Sequence, residues 1–429
     1  MKPELVPALL FDLALIISLA QLLGAAARRL GQPAVIGEIL TGILLGPTLF
    51  HGAISRTLFP LDVRASLAVL ADVGVALFMF VVGLELERGL LRGQGRITTT
   101  VALASVLLPL TLGALLAVRL AHSHRFEQRP GFVLFLGAAM SVTAFPVLAR
   151  ILADRGMIRT PLGGLALACA AVDDVLAWSL LALVVVLSGG GAEEWRLVLA
   201  PVYVLGMVGV VRPLLCRVLR RTNRLTVGVL GTVFAELLLS GAATEWMGLH
   251  FIFGAFLFGV VMPRAEAATV RAELLDRMGQ VSSVLLLPVF FTVSGLAVDL
   301  SGLDMSALGE LGLILLVAIG GKFAGAYVGA RVHGIQPRHS AVIATLVNTR
   351  GLTELVILAV GLQLGVLDCT LYSMMVVMAV VTTAMTGPML RWIYPDARVR
   401  RDVLEPHPGM GNLVGRRAAE GRSDRSDAG

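Results

Sequence analysis

Long apolar stretches alternate with short polar breaks along almost the whole chain of 429 residues. A helix of about 20 apolar residues spans the hydrocarbon core of a bilayer, and the breaks are rich in Arg or in Gly and Pro. The pattern predicts thirteen membrane-spanning helices, near residues 8–27, 33–50, 67–84, 97–118, 131–152, 162–189, 197–219, 225–246, 249–263, 280–298, 308–332, 339–365 and 370–393. We therefore expect an all-α membrane protein.

Composition and charge agree with this prediction and indicate an orientation. Hydrophobic residues make up 57% of the chain and charged residues 15%, and the mean hydropathy of +0.86 exceeds that of water-soluble domains. Arginine is concentrated in every second loop, which the positive-inside rule assigns to the cytoplasm. We expect a multi-pass protein of the cell (plasma) membrane with its N-terminus outside and its C-terminus inside. The net charge of +6 then reflects this topology and does not indicate nucleic-acid binding.

The first and last segments of the chain are expected to differ in structure. Arg28 and Arg29 follow the first apolar stretch, the reverse of a signal peptide's polarity, so we expect a retained helix. Residues 395–429 lose hydrophobic periodicity and predict a disordered cytoplasmic tail behind a transmembrane domain at 1–394. The three cysteines lack metal-ligand spacing, which favours simple packing roles.

Two halves of the sequence are similar to each other. Gly46 in TGILLGP matches Gly259 in GAFLFGVVMP at an offset of 213, and two further matches have offsets of 212 and 206. A linker helix at 197–219 then joins repeat one, about 8–189, to an inverted repeat two, about 225–393. Inverted repeats are typical of secondary transporters, whose binding site lies near the midplane between interrupted helices. The alternative is chance similarity among glycine-rich helices.

One matched pair of segments predicts a broken helix in each repeat. Pro146 in SVTAFPVL removes a backbone hydrogen bond in mid-membrane, and the hydroxyls of Ser141 and Thr143 can bond the freed groups. Its partner VNTRGLTEL places four residues that disfavour a lipid-facing helix together at depth, namely Asn348, Thr349, Arg350 and Gly351. Broken helices at corresponding positions indicate a binding site where they cross at the midplane.

Two adjacent carboxylates, Asp173 and Asp174, lie near the middle of the apolar span 162–189. An ionised carboxylate at this depth costs about 2.5–3.5 kcal/mol on insertion scales. Successive helix residues point about 100° apart, so the two carboxylates can have different partners. Burial and mutual repulsion favour the retention of one proton, which can then be exchanged for a hard cation.

A lysine at depth is the second unusual charge. The chain contains 33 Arg and only two Lys, one of which, Lys322, lies inside an apolar span. Lysine, unlike arginine, can release its proton when it is buried. We predict an ion pair between Lys322 and Asp173, in preference to a lysine that reaches the membrane surface. Arg350 and Glu354 are four residues apart and are predicted to neutralise each other.

These motifs resemble those of the monovalent cation:proton antiporters, which include bacterial sodium/proton exchangers, potassium-efflux proteins and plant cation/proton exchangers. The resemblance covers about residues 10–393 and is carried by QPAVIGEILTGILLGP, LFMFVVGLELE, SVTAFPVLARIL, AAVDDVLAW, GGKFAG and NTRGLTELVIL. It implies a homodimer in which a core with two broken helices moves against a scaffold, which is elevator-type alternating access. It also implies no cofactor, because H+ and Na+ or K+ are transported ions.

The resemblance assigns roles to individual residues. Asp174 matches the aspartate that binds the cation and the proton, Asp173 the preceding acidic or amide position, and Lys322 the lysine of the core. Ser141 and Thr143 fall at the broken-helix crossing. The Asp-Asp pair is similar to that of electrogenic sodium exchangers, whereas the motifs as a whole are closer to the potassium-efflux and plant branch.

Sodium/proton antiport is therefore the expected function, with potassium/proton antiport or potassium efflux as the alternative. An ion channel needs a continuous pore, whereas this chain offers one central site and an inverted repeat. An intramembrane aspartyl protease needs aspartates that face each other from two helices, which adjacent residues on one helix cannot supply. An enzyme is therefore not expected.

Overall fold

The computed structural model describes residues 5–49, 52–85, 95–123, 129–157, 160–188, 196, 199–222, 225–263, 268–302 and 304–395, and within these ranges the chain forms helices and no strand. The first half contains α1 (Leu5–Arg29), α2 (Ala34–Leu45), α3 (Ala53–Leu58), α4 (Leu61–Glu85), α5 (Gly95–Ser123), α6 (Arg129–Ser141), α7 (Phe145–Asp154) and α8 (Pro161–Ser188). A π-helical turn then joins α9 (Leu199–Gly206) to α10 (Arg212–Thr222).

The second half contains α11 (Val227–Trp246), α12 (Phe251–Val261), α13 (Ala268–Val281), α14 (Leu287–Leu296), α15 (Met305–Val332), α16 (Pro337–Val347), α17 (Leu352–Gln363) and α18 (Cys369–Ile393). Another π-helical turn joins α13 to α14. The prediction of an all-α membrane protein is confirmed, and each of the thirteen predicted regions contains a helix. The predicted tail lies outside the described residues, apart from residue 395, and stays a prediction.

Among the described residues, helix length supports fewer membrane spans than the hydropathy pattern predicts. Ten helical segments are long and apolar enough to cross a membrane, or eleven when the bent pair α16 and α17 counts as one span. The predicted spans 33–50 and 249–263 correspond to α2 and α12, which have only 12 and 11 residues. Pro47 and Pro263 follow these helices closely and oppose their extension. The total of thirteen spans therefore stays a prediction.

Helices at equivalent positions of the two repeats pack in reciprocal pairs. α2 packs along α14, and α4 packs along α12. Gly83 of α4 meets Gly259 of α12, where an added Cβ would lie 3.0 Å from the Gly259 Cα. Gly295 of α14 meets Gly42 of α2 in the same way, with 2.7 Å between the added Cβ and the Gly42 Cα. At both crossings, glycine allows the backbones of the two helices to come into direct contact.

The remaining helices surround the two breaks. α5 packs along α15, and α6 and α16 both pack against α8. We call α5–α8 with α15–α18 the core, and α1–α4 with α11–α14 the scaffold. Both broken helices and all of the predicted site residues belong to the core.

Candidate functional site

The two broken helices meet where their own hydrogen bonding stops. The chain leaves helical geometry for three residues between α6 and α7, and for four residues between α16 and α17. The backbone N–H of Ala144 donates to Thr349 O at 3.0 Å, and the Thr143 hydroxyl lies 2.9 Å from Val347 O. Each break therefore supplies hydrogen-bond partners to the other, as buried backbone at membrane depth requires.

Local sequence explains why the helices stop here. Pro146 occupies the first turn of α7, where its missing N–H removes no helical hydrogen bond. Asn348 terminates α16, and Gly351 precedes α17. A Cβ at Gly351 would lie 3.4 Å from the Val147 Cβ, and still closer to a Val147 methyl group, so glycine permits the close approach of α7. The predicted breaks are present at the predicted residues.

The carbonyl end of α6 receives two buried cations from other helices. Arg350 donates from Nη1 to Ala139 O at 2.9 Å and from Nη2 to Met140 O at 2.5 Å. Lys322 donates from Nζ to Ser141 O. The last carbonyl groups of a helix lack helical partners and carry partial negative charge, so these cations stabilise the interrupted end.

Arg350 is held by an ion pair through its side chain and by hydrogen bonds through its backbone. Its Nη1 lies 2.9 Å from Glu354 Oε1, and both side chains are fully buried. The Arg350 backbone N–H donates to Thr383 Oγ1 at 3.1 Å, and the same hydroxyl lies 2.7 Å from Arg350 O. The ion pair expected from the spacing is present, and it compensates the charge that caps α6.

Asp173 accepts from three different helices or breaks. Its Oδ2 lies 3.4 Å from Lys322 Nζ, 2.5 Å from Thr143 Oγ1 and 3.5 Å from Ser105 Oγ. A hydroxyl has one hydrogen, so Thr143 donates either to Asp173 or to Val347 O at a given moment. The structure therefore brings together Asp173, Lys322 and Thr143.

Asp174 faces a different environment from its neighbour. The Thr353 hydroxyl and the Phe145 backbone N–H both face its carboxylate as hydrogen-bond donors. Phe145 begins α7 and Thr353 lies in the first turn of α17, so the carboxylate lies beside two helix N-termini. Helix N-termini attract negative charge. Among the described residues, Asp174 takes part in no ion pair.

Several buried oxygen atoms at the breaks have no hydrogen-bond partner within the described part of the chain. They are Oδ1 of Asp173, Oδ1 of Asp174, Oδ1 of Asn348 and Oγ1 of Thr349. Hard monovalent and divalent cations prefer oxygen ligands, and orphaned buried acceptors are costly unless a ligand, ion or proton satisfies them. Within the described ranges, no three His, Cys, Asp or Glu side chains are placed so that together they could hold a metal ion.

The five charged side chains at the centre do not sum to zero. Three carboxylates and two cations leave one negative charge when all are ionised, and the set consists of Asp173, Asp174, Lys322, Arg350 and Glu354. One proton on a carboxylate, or one bound monovalent cation, restores neutrality. A neutral set is strongly preferred in a low-dielectric core.

One predicted residue, Ser141, differs from the sequence-based expectation, and two further residues at the site were not predicted. The Ser141 hydroxyl donates to Ala138 O at 2.7 Å in its own helix, and only its carbonyl contacts Lys322. Ser105 of α5 contacts Asp173, and Thr353 of α17 faces Asp174. In the sequence, each resembles an ordinary small polar residue of a membrane helix. Only Thr353 carried a signal, because it lies three residues after Arg350 in the second predicted break.

Comparisons with known proteins agree with this geometry. The family described as sodium/hydrogen exchanger, transmembrane, matches residues 13–394. The chain is 39% identical over 401 residues to the Na(+)/H(+) antiporter NhaS4 of Synechocystis sp., with 90% of this chain and 97% of that protein covered. It is 31% identical over 424 residues to the K(+)/H(+) antiporter 1 of Saccharomyces cerevisiae, with 92% of this chain and 48% of the yeast protein covered.

A solved structure has the same fold. The sodium proton antiporter MjNhaP1 from Methanocaldococcus jannaschii matches with a TM-score of 0.60 and 17% identity, covering 93% of this chain and 99% of that one. At this identity the likeness concerns the fold alone. The family match covers both the core and the scaffold, and the family consists of transporters that use no cofactor and are not enzymes. This chain therefore belongs to the sodium/hydrogen exchanger family.

Proposed function

We propose that this protein exchanges Na+ for H+ across the membrane, with Asp174 as the shared binding group. The observation that carries the proposal is the Asp174 carboxylate, which is buried beside two helix N-termini and has no ion-pair partner among the described residues. A proton and a monovalent cation each neutralise the site, but both together would leave a positive charge. Competition of the two ions for one carboxylate couples their movement.

Asp173, Lys322 and Thr143 have a supporting role in this proposal. The Lys322 ammonium and the Thr143 hydroxyl hold Asp173 Oδ2, so the charge of Asp173 is compensated without a transported ion. Asn348 and Thr349 contribute neutral oxygen atoms at the second break. Dehydrated Na+ needs several such ligands at short range.

The contacts between core and scaffold support alternating access. At the face where α17 ends and α18 begins, His250 Nε2 lies 3.2 Å from Gln363 Oε1. At the same face, Tyr372 donates to Ser294 O at 2.9 Å, and Ser373 Oγ accepts from Asp299 N at 3.0 Å. At the opposite, arginine-rich face a cavity lies between scaffold and core, beside the contact of Arg391 with Gly31. The structure thus corresponds to a state in which the core is bound to the scaffold at the face opposite the arginines.

Potassium/proton antiport is the second candidate. The name of NhaS4 supports sodium, and the name of the yeast relative supports potassium. The yeast protein is about twice as long as the matched region, so its specificity includes parts that this comparison does not cover. The paired aspartates favour sodium, because the Asp-Asp pair is similar to that of the electrogenic sodium exchangers.

The proposed assembly and location follow from the family resemblance and the arginine distribution. We propose a homodimer in the cell membrane, with the N-terminus outside and the C-terminus in the cytoplasm. The arginine-rich ends of α1, α7 and α18 lie at one face, which supports a cytoplasmic assignment for that face. Cysteine labelling from either side of the membrane, together with the mass of the detergent-solubilised protein, tests this arrangement.

Replacement of Asp174 by Asn should abolish exchange while the protein remains folded, because an amide neither releases a proton nor binds Na+ with a charge. The measurement is proton release from proteoliposomes in response to Na+, K+, Li+ or Rb+ at several pH values. Asp276→Asn is the matched control, because Asp276 is an exposed carboxylate of α13. Exchange by Asp174→Asn at the wild-type rate would overturn the assignment.

Counterflow separates a carrier from a channel. A carrier exchanges labelled Na+ faster when unlabelled Na+ is present on the other side, whereas a channel shows no such trans-stimulation. We expect trans-stimulation in the wild type. The binding site of a carrier returns to the first side of the membrane faster when it has bound an ion than when it is empty.

A further inference from the structure

A cavity of about 330 Å³ lies between the scaffold and the core at the arginine-rich face. The ends of α1, α7 and α18 and the α1–α2 connection form its wall. Three guanidinium groups, those of Arg28, Arg155 and Arg391, line it together with the Asp154 carboxylate. Arg28, Asp154 and Arg391 are exposed, so the cavity is accessible from the surface.

Arginines close to helix ends can simply satisfy the last carbonyl groups of those helices. At the end of α18 other residues fill that role. Arg155 Nη2 donates to Tyr394 O at 3.3 Å, and Arg338 Nε donates to Ile393 O at 2.7 Å. The end of α1 likewise has two arginines, Arg28 and Arg29, in its last turn. Arg391 therefore adds positive charge beyond what the end of α18 requires.

The described part of the cavity wall contains more guanidinium groups than carboxylates. Glu38 of α2 interacts electrostatically with Arg150 and Arg28, and Asp154 lies in the cavity wall. Among the described residues that line the cavity, three guanidinium groups therefore accompany one carboxylate. An excess of guanidinium groups around an accessible space is typical of a site for a multiply charged oxyanion.

Gly31 gives Arg391 its position in the wall. Its φ of +73° lies in the left-handed region that favours glycine. An added Cβ would lie 2.9 Å from the Arg391 Cζ and closer still to one guanidinium nitrogen. The absence of a side chain therefore allows the Arg391 guanidinium to lie against the α1–α2 connection, where it reaches from the core to the scaffold.

We propose that this cavity binds a phosphate group, held from the scaffold by Arg28 and from the core by Arg155 and Arg391. The phosphate belongs either to an anionic phospholipid headgroup or to a soluble phosphate compound, which share the same chemistry. A phosphate that contacts both parts opposes their separation and so slows exchange. This consequence depends on the proposed antiport, whereas the binding itself does not.

The binding test uses the full chain in detergent, without an ion gradient. Inorganic phosphate or pyrophosphate should raise the thermal unfolding midpoint relative to chloride at equal ionic strength. Arg391→Gln should need about ten-fold more phosphate for the same increase, because one charge-assisted bidentate contact is lost. Arg217→Gln is the control, since Arg217 is an exposed arginine of α10 that does not line the cavity.

Two glycine variants test the position of Arg391 without any change in charge. Gly31→Ala displaces the Arg391 guanidinium and should weaken phosphate binding to a similar extent. Gly334→Ala is its matched control, because Gly334 has a φ of +76° and no neighbour within 4 Å of an added Cβ. Arg391→Lys, which keeps the charge but not the bidentate geometry, should bind with intermediate affinity and replaces Arg391→Gln if that variant does not fold.

Proteoliposomes distinguish the two sources of phosphate and test the effect on exchange. Slower exchange in phosphatidylcholine vesicles that contain phosphatidylglycerol indicates a lipid headgroup, and slower exchange with internal or external pyrophosphate indicates a soluble compound. Arg391→Gln should lose either effect. Equal phosphate binding by the wild type, Arg391→Gln and Gly31→Ala would overturn the site. Binding without any effect on measurable exchange would overturn the bridging role, and absent exchange with intact binding would count against the antiport function alone.

Discussion

At the scale of single residues, two neighbouring aspartates have become chemically distinct because they point to different sides of α8. Asp173 contacts Lys322 and Thr143, whereas Asp174 faces the first turns of α7 and α17. Of these two aspartates, Asp174 is the one that has no ion-pair partner among the described residues. One aspartate can therefore remain compensated while its neighbour exchanges a proton for a cation.

Lys322→Gln should lower thermal stability, because it leaves the buried Asp173 carboxylate and Ser141 O without the ammonium group. Removal of one partner from a buried ion pair costs about 3–5 kcal/mol. Asp173→Asn added to Lys322→Gln should recover part of the loss, since the remaining charge is then gone. Thermal unfolding of the two single variants and the double variant measures this coupling, and strictly additive losses would contradict the pair.

Thr143→Ala should lower the apparent cation affinity by about ten-fold, as expected for the loss of one hydrogen bond to a charged group. Thr143→Ser should restore most of it. Ser141→Ala is the matched comparison, because the Ser141 hydroxyl bonds to Ala138 O in its own helix. Exchange rates at varied Na+ concentration give the affinities, and equal effects of the two alanine substitutions would show that the hydroxyl of Thr143 has no special role.

At the scale of helices, close glycine contacts hold the scaffold together while the breaks open the core. Gly83 on Gly259 and Gly42 on Gly295 bring helix backbones into direct contact. Without a hydrophobic driving force between helices in lipid, such close packing supplies much of the attraction. The breaks in the core instead free backbone and side-chain oxygens for an ion.

Gly83→Ala should destabilise the scaffold by about 1–3 kcal/mol, because the added methyl group would overlap the backbone of α12. Gly320→Ala is the control in α15, where an added Cβ has no neighbour within 4 Å and where alanine improves helix propensity. Thermal unfolding of both variants decides the question. A Gly83→Ala protein as stable as Gly320→Ala would argue against a tight α4–α12 crossing.

At the scale of the whole molecule, the core is attached to the scaffold unevenly. Hydrogen bonds between α17 or α18 and the scaffold residues His250, Ser294 and Asp299 join the two at one face, and a cavity lies between them at the other. Alternating access in this molecule therefore requires those three contacts to break, so groups that titrate among them influence the rate.

His250 should make exchange sensitive to pH at that face. Burial lowers the pKa of His250 from its ordinary value of 6.5, although Gln363 and Glu245 oppose this shift. When the core separates, His250 regains water and its pKa rises again, so protonation favours the separated state. Acidification through pH values below about 6.5 should then favour opening, by at most about ten-fold per pH unit.

The measurement is the exchange rate at a series of pH values on the side of the membrane where His250 lies, with the pH on the other side and the cation gradient held constant. His250→Gln should lose the acid-dependent component that remains after the proton's effect as a substrate is accounted for. His333→Gln, at the end of α15, is the control and should keep it. Identical pH profiles for the wild type and His250→Gln would exclude a role for this histidine.

The sequence by itself determined the membrane class, the positions of the helices and both breaks. These properties depend on local composition, because hydropathy decides burial in lipid and Pro146 or Gly351 decides where a helix can continue. The charged residues at depth could also be found this way, since Asp173, Asp174 and Lys322 are conspicuous in apolar segments. The hydropathy pattern gave α2 and α12 too great a length, because it measures burial in lipid and not the helix ends that Pro47 and Pro263 mark.

Only the tertiary structure decided which buried groups meet. Lys322 bonds Ser141 O as well as Asp173, Arg350 caps α6, and Ser105 reaches Asp173 across 68 positions of sequence. These contacts depend on the crossing angle and rotation of helices that are far apart in the chain. A pattern of single helices contains no information on either quantity, so the charges could be recognised from sequence while most of their partners could not.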